Sequence, residues 1–221
     1  DLLLWPIENL LATSTDIDQA MKDRLIAELG EKLIPALSVE AAKVPIDESG
    51  IIALDWLNGR RTPDANQLLK GAIAGLTLGS DAPRVFRALV EATAFGAKKI
   101  VERFRSEGVQ IEGVIALGGV AKKSPFIMQV VADVLDVPIK VPRSEQTCAL
   151  GAAMFAAVVA GLYPSVDDAK TSMGSGIETE YRPDPQRAAK YRTLYDRYTR
   201  LGEYVENEAL RRAAQHPARR W

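Results

Sequence analysis

Two consecutive glycines at the end of an apolar run are the feature of this sequence that most clearly points to chemistry. They lie in the segment ALGGVAKKSP, residues 116–125. A predicted strand leads into Gly118 and Gly119, and Ser124 followed by Pro125 marks the start of a helix. Glycines have no Cβ, so a ligand can approach their backbone, and unpaired N–H groups at a helix start favour negative charge. A nucleotide would fit at such a turn.

The same residues also allow a simpler interpretation, because two glycines at a strand end often form only a tight turn. Their spacing matches neither the dinucleotide fingerprint G-x-G-x-x-G nor the phosphate loop G-x-x-x-x-G-K-[ST], which disfavours a dehydrogenase or a P-loop enzyme. Lys122 and Lys123 are candidates for phosphate contact, although adjacent lysines in a loop are usually only solvated. The motif alone therefore leaves both interpretations open.

Four aspartates near predicted loops are candidates for acid–base chemistry: Asp55, Asp64, Asp81 and Asp133. A general base must lie within hydrogen-bond reach of the proton that it removes, and the sequence does not establish this for any of them. We expect Asp81 to cap a helix and Asp133 to lie on the solvated side of its helix.

The single cysteine, the single histidine and the charge balance exclude several classes of protein. Cys148 alone forms no intrachain disulfide or cysteine-rich zinc site, and we expect it to be a small buried residue. His216 falls in a tail that we predict to be frayed and solvated, which excludes a triad built on a core histidine. The 28 basic and 29 acidic side chains argue against nucleic acid as the main partner. Without a long apolar run or a signal-peptide pattern, we predict a cytoplasmic protein that does not use a membrane.

Apolar periodicity predicts the elements that position these residues. Residues up to 43 indicate two helices, 2–11 and 16–29, with Ser14, Thr15 and Asp16 as possible caps and Gly30 as a stop. The elements predicted after them are strands at 51–56 and 72–78, a helix at 83–107, a strand at 114–117, a helix at 124–135, a strand at 138–141, a small-residue helix at 148–160 and a final helix at 184–211.

This alternation of strands and helices is typical of an α/β layer structure, in which helices cover a sheet. We predict three parts along the chain: a helical segment at 1–43, an α/β nucleotide-side domain at 44–175, and a C-terminal helix with a basic tail at 176–221.

Five ordered segments carry a resemblance to a known family. They are LDWLNGRRT at 54–62, GLTL at 75–78, RALVEATAFG at 87–96, the glycine pair with the MQ and AD pairs at 128–129 and 132–133, and QTCALGAA at 146–153. Together they resemble the C-terminal half of the L-ribulokinases, within the FGGY carbohydrate kinases, and the likeness extends over residues 1–204. It implies the two-lobed ATPase fold of sugar kinases, Hsp70 and actin. This chain would be one ribonuclease H-like lobe, a mixed sheet covered by helices with extra helices at both ends.

The resemblance implies transfer of the γ-phosphate of ATP, with Mg²⁺, to L-ribulose, giving L-ribulose 5-phosphate in arabinose catabolism. In such kinases the sugar and ATP meet in a cleft between two lobes, and an aspartate accepts the proton of the sugar hydroxyl. The Asp-x-Gly-[Thr/Ser] phosphate loop and the catalytic aspartate of the N-terminal lobe are missing from this sequence. We therefore expect a fragment with no catalytic residue or metal ligand of its own, which is inactive alone.

The family pattern implies site residues only around the glycine pair. Gly118 and Gly119 would lie against the nucleotide, and Ser124 is a weaker candidate for an adenosine contact. The expected partners are ATP, the N-terminal lobe and, in the complete enzyme, L-ribulose. An apolar face left without its lobe would also allow a homodimer.

Four further residues match a family signature: Asp55, Trp56, Gly59 and Arg61. Packing or contact with the other lobe explains them at least as well as contact with substrate. Two alternative functions remain open. One is another FGGY kinase, acting on xylulose, glycerol or a similar polyol, and the other is a non-catalytic binding or assembly module.

Overall fold

Helices and short strands alternate along most of the chain. The computed structural model describes residues 5–215, and its elements are α1 (Trp5–Thr13), α2 (Gln19–Lys43), β1 (Ile52–Leu54), β2 (Ala72–Ala74), α3 (Ala82–Ser106), β3 (Val114–Ile115), α4 (Gly119–Lys123), α5 (Pro125–Leu135), β4 (Ile139–Pro142), α6 (Thr147–Val159), α7 (Val166–Met173), β5 (Ile177–Tyr181) and α8 (Pro185–Gln215). Contacts group these residues into two units. Unit 1 contains the described residues up to Thr93 and from Thr193 onward, and unit 2 is Ala94–Arg192. The domain boundaries at 43/44 and 175/176 stay a prediction.

Helix α2 of unit 1 begins later than the sequence predicts. Its N-cap is Asp18, whose Oδ1 accepts a hydrogen bond from the Met21 backbone N–H at 2.8 Å. The predicted caps Ser14, Thr15 and Asp16 lie before this position, in the connection from α1. A side-chain acceptor two or three residues ahead of a free N–H starts a helix, and Asp18 is the residue that has this geometry.

The predicted stop at Gly30 is wrong, because α2 continues through it to Lys43. Glycine inside a helix costs only about 1 kcal/mol relative to alanine. Packing offsets this cost, since Leu37 and Ala41 are buried in the last turns of the helix. Arg87 then satisfies the end of the helix by donating to the carbonyls of Ala41, at 2.9 Å, and Val44, at 2.6 Å.

The two strands of unit 1 pair antiparallel and are shorter than predicted. Ile52 lies opposite Ala74, and Leu54 lies opposite Ala72. All three β1 residues are buried. Residues 75–78 leave the strand, and the Thr77 N–H donates to Ser80 Oγ at 2.9 Å in a turn that leads toward α3.

Unit 2 contains a mixed sheet in the order β3-β4-β5. Strands β3 and β4 are parallel, with α4 and α5 in the crossover between them, and β5 pairs antiparallel with β4. Strand β5 was not among the predicted elements, because its alternation of Ile177, Thr179 and Tyr181 with two glutamates is short and four of its five residues are exposed. The core between the sheet and the helices includes Val101, Ala132, Leu135, Val137 and Ile139. The predicted α/β class, a mixed sheet covered by helices, is confirmed.

Candidate functional site

The candidate site begins where β3 and β4 end. Parallel strands place their carboxyl ends at the same sheet edge, which is where ligands bind in open α/β sheets. At this edge β3 leads into Gly118 and Gly119, and β4 leads into the polar loop 143–146. Both loops belong to unit 2, and each ends at the start of a helix. The topology therefore brings the glycine pair to the edge that suits a ligand.

The glycine pair is open to solvent. Gly118 has φ +90° and ψ −176°, a conformation that disfavours any residue with a Cβ. A Cβ built on Gly118 or on Gly119 would meet no heavy atom within 4 Å. Nothing in the described chain thus requires glycine for packing at either position, and a ligand can reach the backbone here.

Short helix α4 is held against the sheet at its far end. Ala121 is buried with Met128 and Val141. The Lys122 ammonium donates to the Arg143 backbone carbonyl at 3.1 Å and forms an ion pair with Glu178 of β5. The turn is therefore exposed at Gly118 and Gly119, while Ala121 and Lys122 hold it against the rest of unit 2.

Ser124 and Lys123 differ in what they contact. Ser124 is the N-cap of α5, where its Oγ accepts a hydrogen bond from the Ile127 N–H at 3.4 Å, and Pro125 follows as the first helical residue, as predicted. Lys123 is exposed and forms no ion pair within residues 5–215. The predicted adenosine contact of Ser124 stays a prediction.

The expectation that Asp133 is solvated is wrong. Its side chain is 2% exposed, and it fastens α5 to the start of α8. Oδ1 accepts from the Asp184 N–H at 2.8 Å and from Gln129 Nε2 at 3.0 Å, and Oδ2 accepts from Arg187 Nε at 2.6 Å. These bonds replace the water that a buried carboxylate loses. The hydrogen bond from Arg187 to Asp133 raises the pKa of the arginine.

Asp55 of unit 1 is half-buried beside Tyr198 of α8. The Tyr198 hydroxyl donates to Asp55 Oδ1 at 3.3 Å. Burial raises the pKa of the Asp55 carboxyl, because a low-dielectric surrounding disfavours its charged form. Burial and the Asp55 charge likewise raise the pKa of Tyr198. A raised carboxyl pKa has a packing explanation here, so it does not by itself identify a general base.

The two remaining aspartates take local backbone roles. Asp81 is confirmed as the cap of α3, since its Oδ1 accepts from the Arg84 N–H at 3.0 Å. Asp64 is exposed, and its backbone carbonyl accepts from Arg60 Nε at 2.6 Å.

The signature segment that follows β1 packs within unit 1. Trp56 is buried, and the Arg60 guanidinium lies over its ring at 5.3 Å. Arg60 also forms a bidentate pair with Glu206 of α8, with both N···O distances at 2.9 Å. Gly59 has φ +85°, and a Cβ there would lie 2.7 Å from the Gln67 Cα. Packing therefore accounts for Trp56 and Gly59, whereas Arg61 is exposed.

The last two predicted positions are Cys148 and His216. Cys148 is exposed near the start of α6, so the expectation of a buried cysteine is wrong. Helix α6 is apolar around most of its circumference, and the pattern therefore does not show which side is covered. His216 lies outside the described residues.

The described part of the chain, residues 5–215, has neither a cluster of metal-ligating side chains nor a membrane-spanning helix. This part of the chain contains no group of three or more His, Cys, Asp or Glu side chains that could hold a metal ion. None of its helices combines the length and the apolar character needed to cross a bilayer.

Two contacts of unit 2 were not predicted. The Lys122–Glu178 pair involves a strand that was itself not predicted, and the Asp133–Arg187 pair joins residues 54 positions apart. In the sequence, Lys122 was noted only as one of two adjacent lysines and Asp133 only as part of the family pattern. Neither observation identifies the residue with which it pairs.

The chain is similar in sequence to two ribulokinases. The chain is 45% identical to a ribulokinase of Vibrio parahaemolyticus over 95% of its own length and 36% of that protein. It is 36% identical to a ribulokinase of Halalkalibacterium halodurans over 96% of its length and 38% of that protein. The chain thus spans little more than a third of these relatives.

Solved structures show the same fold. A ligand-bound xylulose kinase from Lactobacillus acidophilus has a TM-score of 0.70 at 25% identity, covering 77% of this chain and 34% of that one. A glycerol kinase of Plasmodium falciparum with ADP has a TM-score of 0.64 at 22% identity, covering 78% and 35%, and shows the fold alone.

The family model of the C-terminal domain of the FGGY carbohydrate kinases matches residues 1–160. The match covers most of the chain, including the glycine pair and the signature segment of unit 1. The chain therefore belongs to the FGGY family of carbohydrate kinases and contains the C-terminal domain of that family.

Proposed function

We propose that this chain is the nucleotide-binding part of an ATP-dependent kinase that phosphorylates L-ribulose. The observation that carries the proposal is the open glycine pair at the carboxyl end of β3. Gly118 and Gly119 leave the space above their Cα atoms free, and the protein side of the turn is fastened through Ala121 and Lys122. Such a turn lets a ligand contact the backbone without moving a side chain.

ATP fits this turn through backbone contact with Gly118 and Gly119, with Ser124 as the candidate for the adenosine side. Bound ATP supplies the phosphoryl group that is transferred. Residues 5–215 contain no group of three or more His, Cys, Asp or Glu side chains that could hold Mg²⁺ by themselves. In this proposal the metal would be held largely by the phosphates of ATP, and no step in this chain is assigned to it. The role proposed for these residues is to bind and orient the nucleotide.

The general base of the reaction belongs to another part of the enzyme in this proposal. Asp133 is buried and fully engaged with Arg187 and Asp184, and Asp81 caps a helix. Phosphoryl transfer depends on positioning and electrostatic stabilisation of two bound reactants, which a nucleotide-side part cannot provide alone. We expect no turnover by the 221-residue chain.

The exposed face of α6 supports an N-terminal lobe as partner. Phe155 is 62% exposed and Val159 is 89% exposed, while Ala157 is buried. A helix that is apolar on nearly all sides is normally covered in the complete protein. In the absence of that lobe the same face would support a homodimer of the isolated chain. The predicted cytoplasmic location is kept as part of this proposal.

The preference for L-ribulose over xylulose or glycerol comes from the relatives. The ribulokinase of Vibrio parahaemolyticus is 45% identical to this chain over the aligned residues, whereas the xylulose kinase from Lactobacillus acidophilus is 25% identical. A substrate panel on the intact protein, with L-ribulose, xylulose and glycerol in a coupled assay, tests this choice. Faster turnover of xylulose or glycerol would replace the proposed substrate while keeping the kinase.

Calorimetric titration of the chain with ATP and Mg²⁺ tests the nucleotide site. Gly119→Val adds bulk in open space, so we expect thermal stability to be nearly unchanged and ATP affinity to fall about tenfold or more, which corresponds to about 1.4 kcal/mol. Gly30→Val is the matched control, because Gly30 also has no heavy atom within 4 Å of a built Cβ and lies far along the chain, in α2. Equal affinity of the wild type and Gly119→Val would favour a binding module that does not use this turn.

A further inference from the structure

Two lysines follow the glycine pair, and the structure gives them different surroundings. Lys122 is held between two elements, with its side chain only 21% exposed, whereas Lys123 is exposed. The proposed function needs the Gly118–Gly119 backbone to have a fixed orientation. A five-residue helix has few backbone hydrogen bonds of its own, so other contacts must fix the position of α4.

Lys122 joins the three segments that surround the turn. It lies in the last turn of α4, and its ammonium contacts the Arg143 carbonyl after β4 and the Glu178 carboxylate on β5. The Arg143 N–H in turn donates to the Gly176 carbonyl at 3.1 Å, just before β5. The end of β4 and the start of β5 are thus bonded to each other, and Lys122 attaches α4 to both.

The loop between β4 and α6 is tied down by two further bonds. The Ser144 N–H donates to Ser175 Oγ at 3.2 Å, and Thr147 Oγ1 donates to the Ser144 carbonyl at 3.0 Å. The acceptor that Lys122 uses is consequently on a well-bonded segment. An ammonium bound to such a segment restrains the helix that carries it.

We propose that Lys122 is a positioning residue, whose contacts with Glu178 and the Arg143 carbonyl hold α4 so that the Gly118–Gly119 backbone is oriented for the nucleotide. This inference rests on the proposed function. The role is indirect, because the ammonium faces β5 and the end of β4 and is already engaged there. An ion pair whose carboxylate is half-exposed contributes little to global stability, so its loss should act mainly on the local geometry of the turn.

The test is calorimetric titration of the 221-residue chain with ATP and Mg²⁺, using variants of both partners. Lys122→Met keeps the aliphatic stem and removes the charge, and Glu178→Ala removes the acceptor. We expect each to weaken ATP binding about fivefold, which corresponds to a loss of slightly less than about 1 kcal/mol of binding free energy. The double variant should lose no more than Lys122→Met, because that change already breaks both contacts of the ammonium. Lys122→Arg should keep most of the affinity.

Lys170→Met is the matched control, since Lys170 also forms an ion pair in unit 2, with Asp167, and both side chains are well exposed. It should leave ATP affinity unchanged. An equal loss in this control would overturn the inference, because it would show a general effect of net charge. A loss in Lys122→Met with none in Glu178→Ala would also overturn it, because the contact with Glu178 would then have no part in holding the turn.

The failure of this inference is distinguishable from the failure of the proposed function. If the wild type binds ATP and Gly119→Val does not, unchanged affinity in Lys122→Met and Glu178→Ala overturns only the positioning role. A wild-type chain that fails to bind ATP overturns both. Thermal unfolding of every variant, measured in parallel, shows whether the fold itself is retained.

Discussion

Gly59 in unit 1 and Gly118 in unit 2 both have a positive φ and differ in what surrounds them. Their φ angles are +85° and +90°, and both follow a short strand in a segment that fits the family pattern. A Cβ on Gly59 would lie 2.7 Å from the Gln67 Cα, whereas a Cβ on Gly118 would have no neighbour within 4 Å. One glycine is required by the chain itself, and the other leaves space that the chain does not use.

The difference separates two reasons for finding glycine in a sequence motif. At Gly59 the absence of a Cβ allows one backbone segment to pack on another, as part of the segment that Trp56 and Arg60 hold near α8. At Gly118 the absence of a Cβ serves no packing within the described residues. A motif glycine without a packing role is the better candidate for contact with a ligand.

The largest expected effect is on the packed glycine. Gly59→Ala combines a positive φ with a backbone clash, so we expect the free energy of unfolding to fall by about 3 kcal/mol. Thermal denaturation should show this as a decrease in Tm of about 6–12 °C for a chain of this size. Gly30→Ala, inside α2, is the control and should stabilise the chain slightly. A Gly59→Ala variant as stable as the wild type would remove the distinction between the two glycines.

Asp133 in unit 2 resembles Gly59 in that its surroundings are filled by the chain itself. Asp133→Ala leaves the Asp184 N–H without its side-chain acceptor and breaks the pair with Arg187, so we expect a loss of about 2–3 kcal/mol in urea denaturation. Asp133→Asn keeps one acceptor and should lose less. Unchanged stability combined with lost turnover of the intact protein would instead make Asp133 a functional residue.

Gly118→Ala should cost less than Gly59→Ala, because only the positive φ is penalised. We expect about 1 kcal/mol of destabilisation together with weaker ATP binding. Gly108 is a close control, with φ +86° and equally open space. Gly108→Ala should show a similar change in stability and no change in ATP affinity. Equal affinities of the two variants would mean that the open glycine pair does not contact the nucleotide.

The smallest expected effect concerns the half-buried carboxyl of Asp55 in unit 1. Burial raises the pKa of Asp55 above its ordinary value of 3.8, so the folded chain binds this proton more tightly than the unfolded chain. This carboxyl therefore stabilises the fold less as the pH rises from 3.8 through the raised pKa. Urea denaturation from pH 3 to 8 should therefore show the wild type becoming less stable relative to Asp55→Asn over that window. A pH-independent difference would contradict the burial of this group.

Local patterns were enough to predict much of the fold. Apolar periodicity identified α3, α5, α6 and α8 and the alternation of strands and helices, because helix and strand periods are properties of neighbouring residues. The same reasoning failed at Gly30, where burial of Leu37 and Ala41 outweighs a weak local preference. It also failed at β5, where five residues give too short a pattern and the strand is completed by backbone pairing with β4 and by packing of Tyr181 on the core.

The sequence by itself determined the family, the glycine pair and the caps at Asp81 and Ser124, since each depends on residues close together in the chain. Only the tertiary structure decided that Asp133 is buried against Arg187, that Cys148 is exposed, and that Lys122 is engaged with Glu178 while Lys123 is not. The physical reason is that burial and ion pairing depend on which distant segments come together. Two adjacent lysines are the same in sequence and become different only when a strand some 50 residues later lies beside one of them.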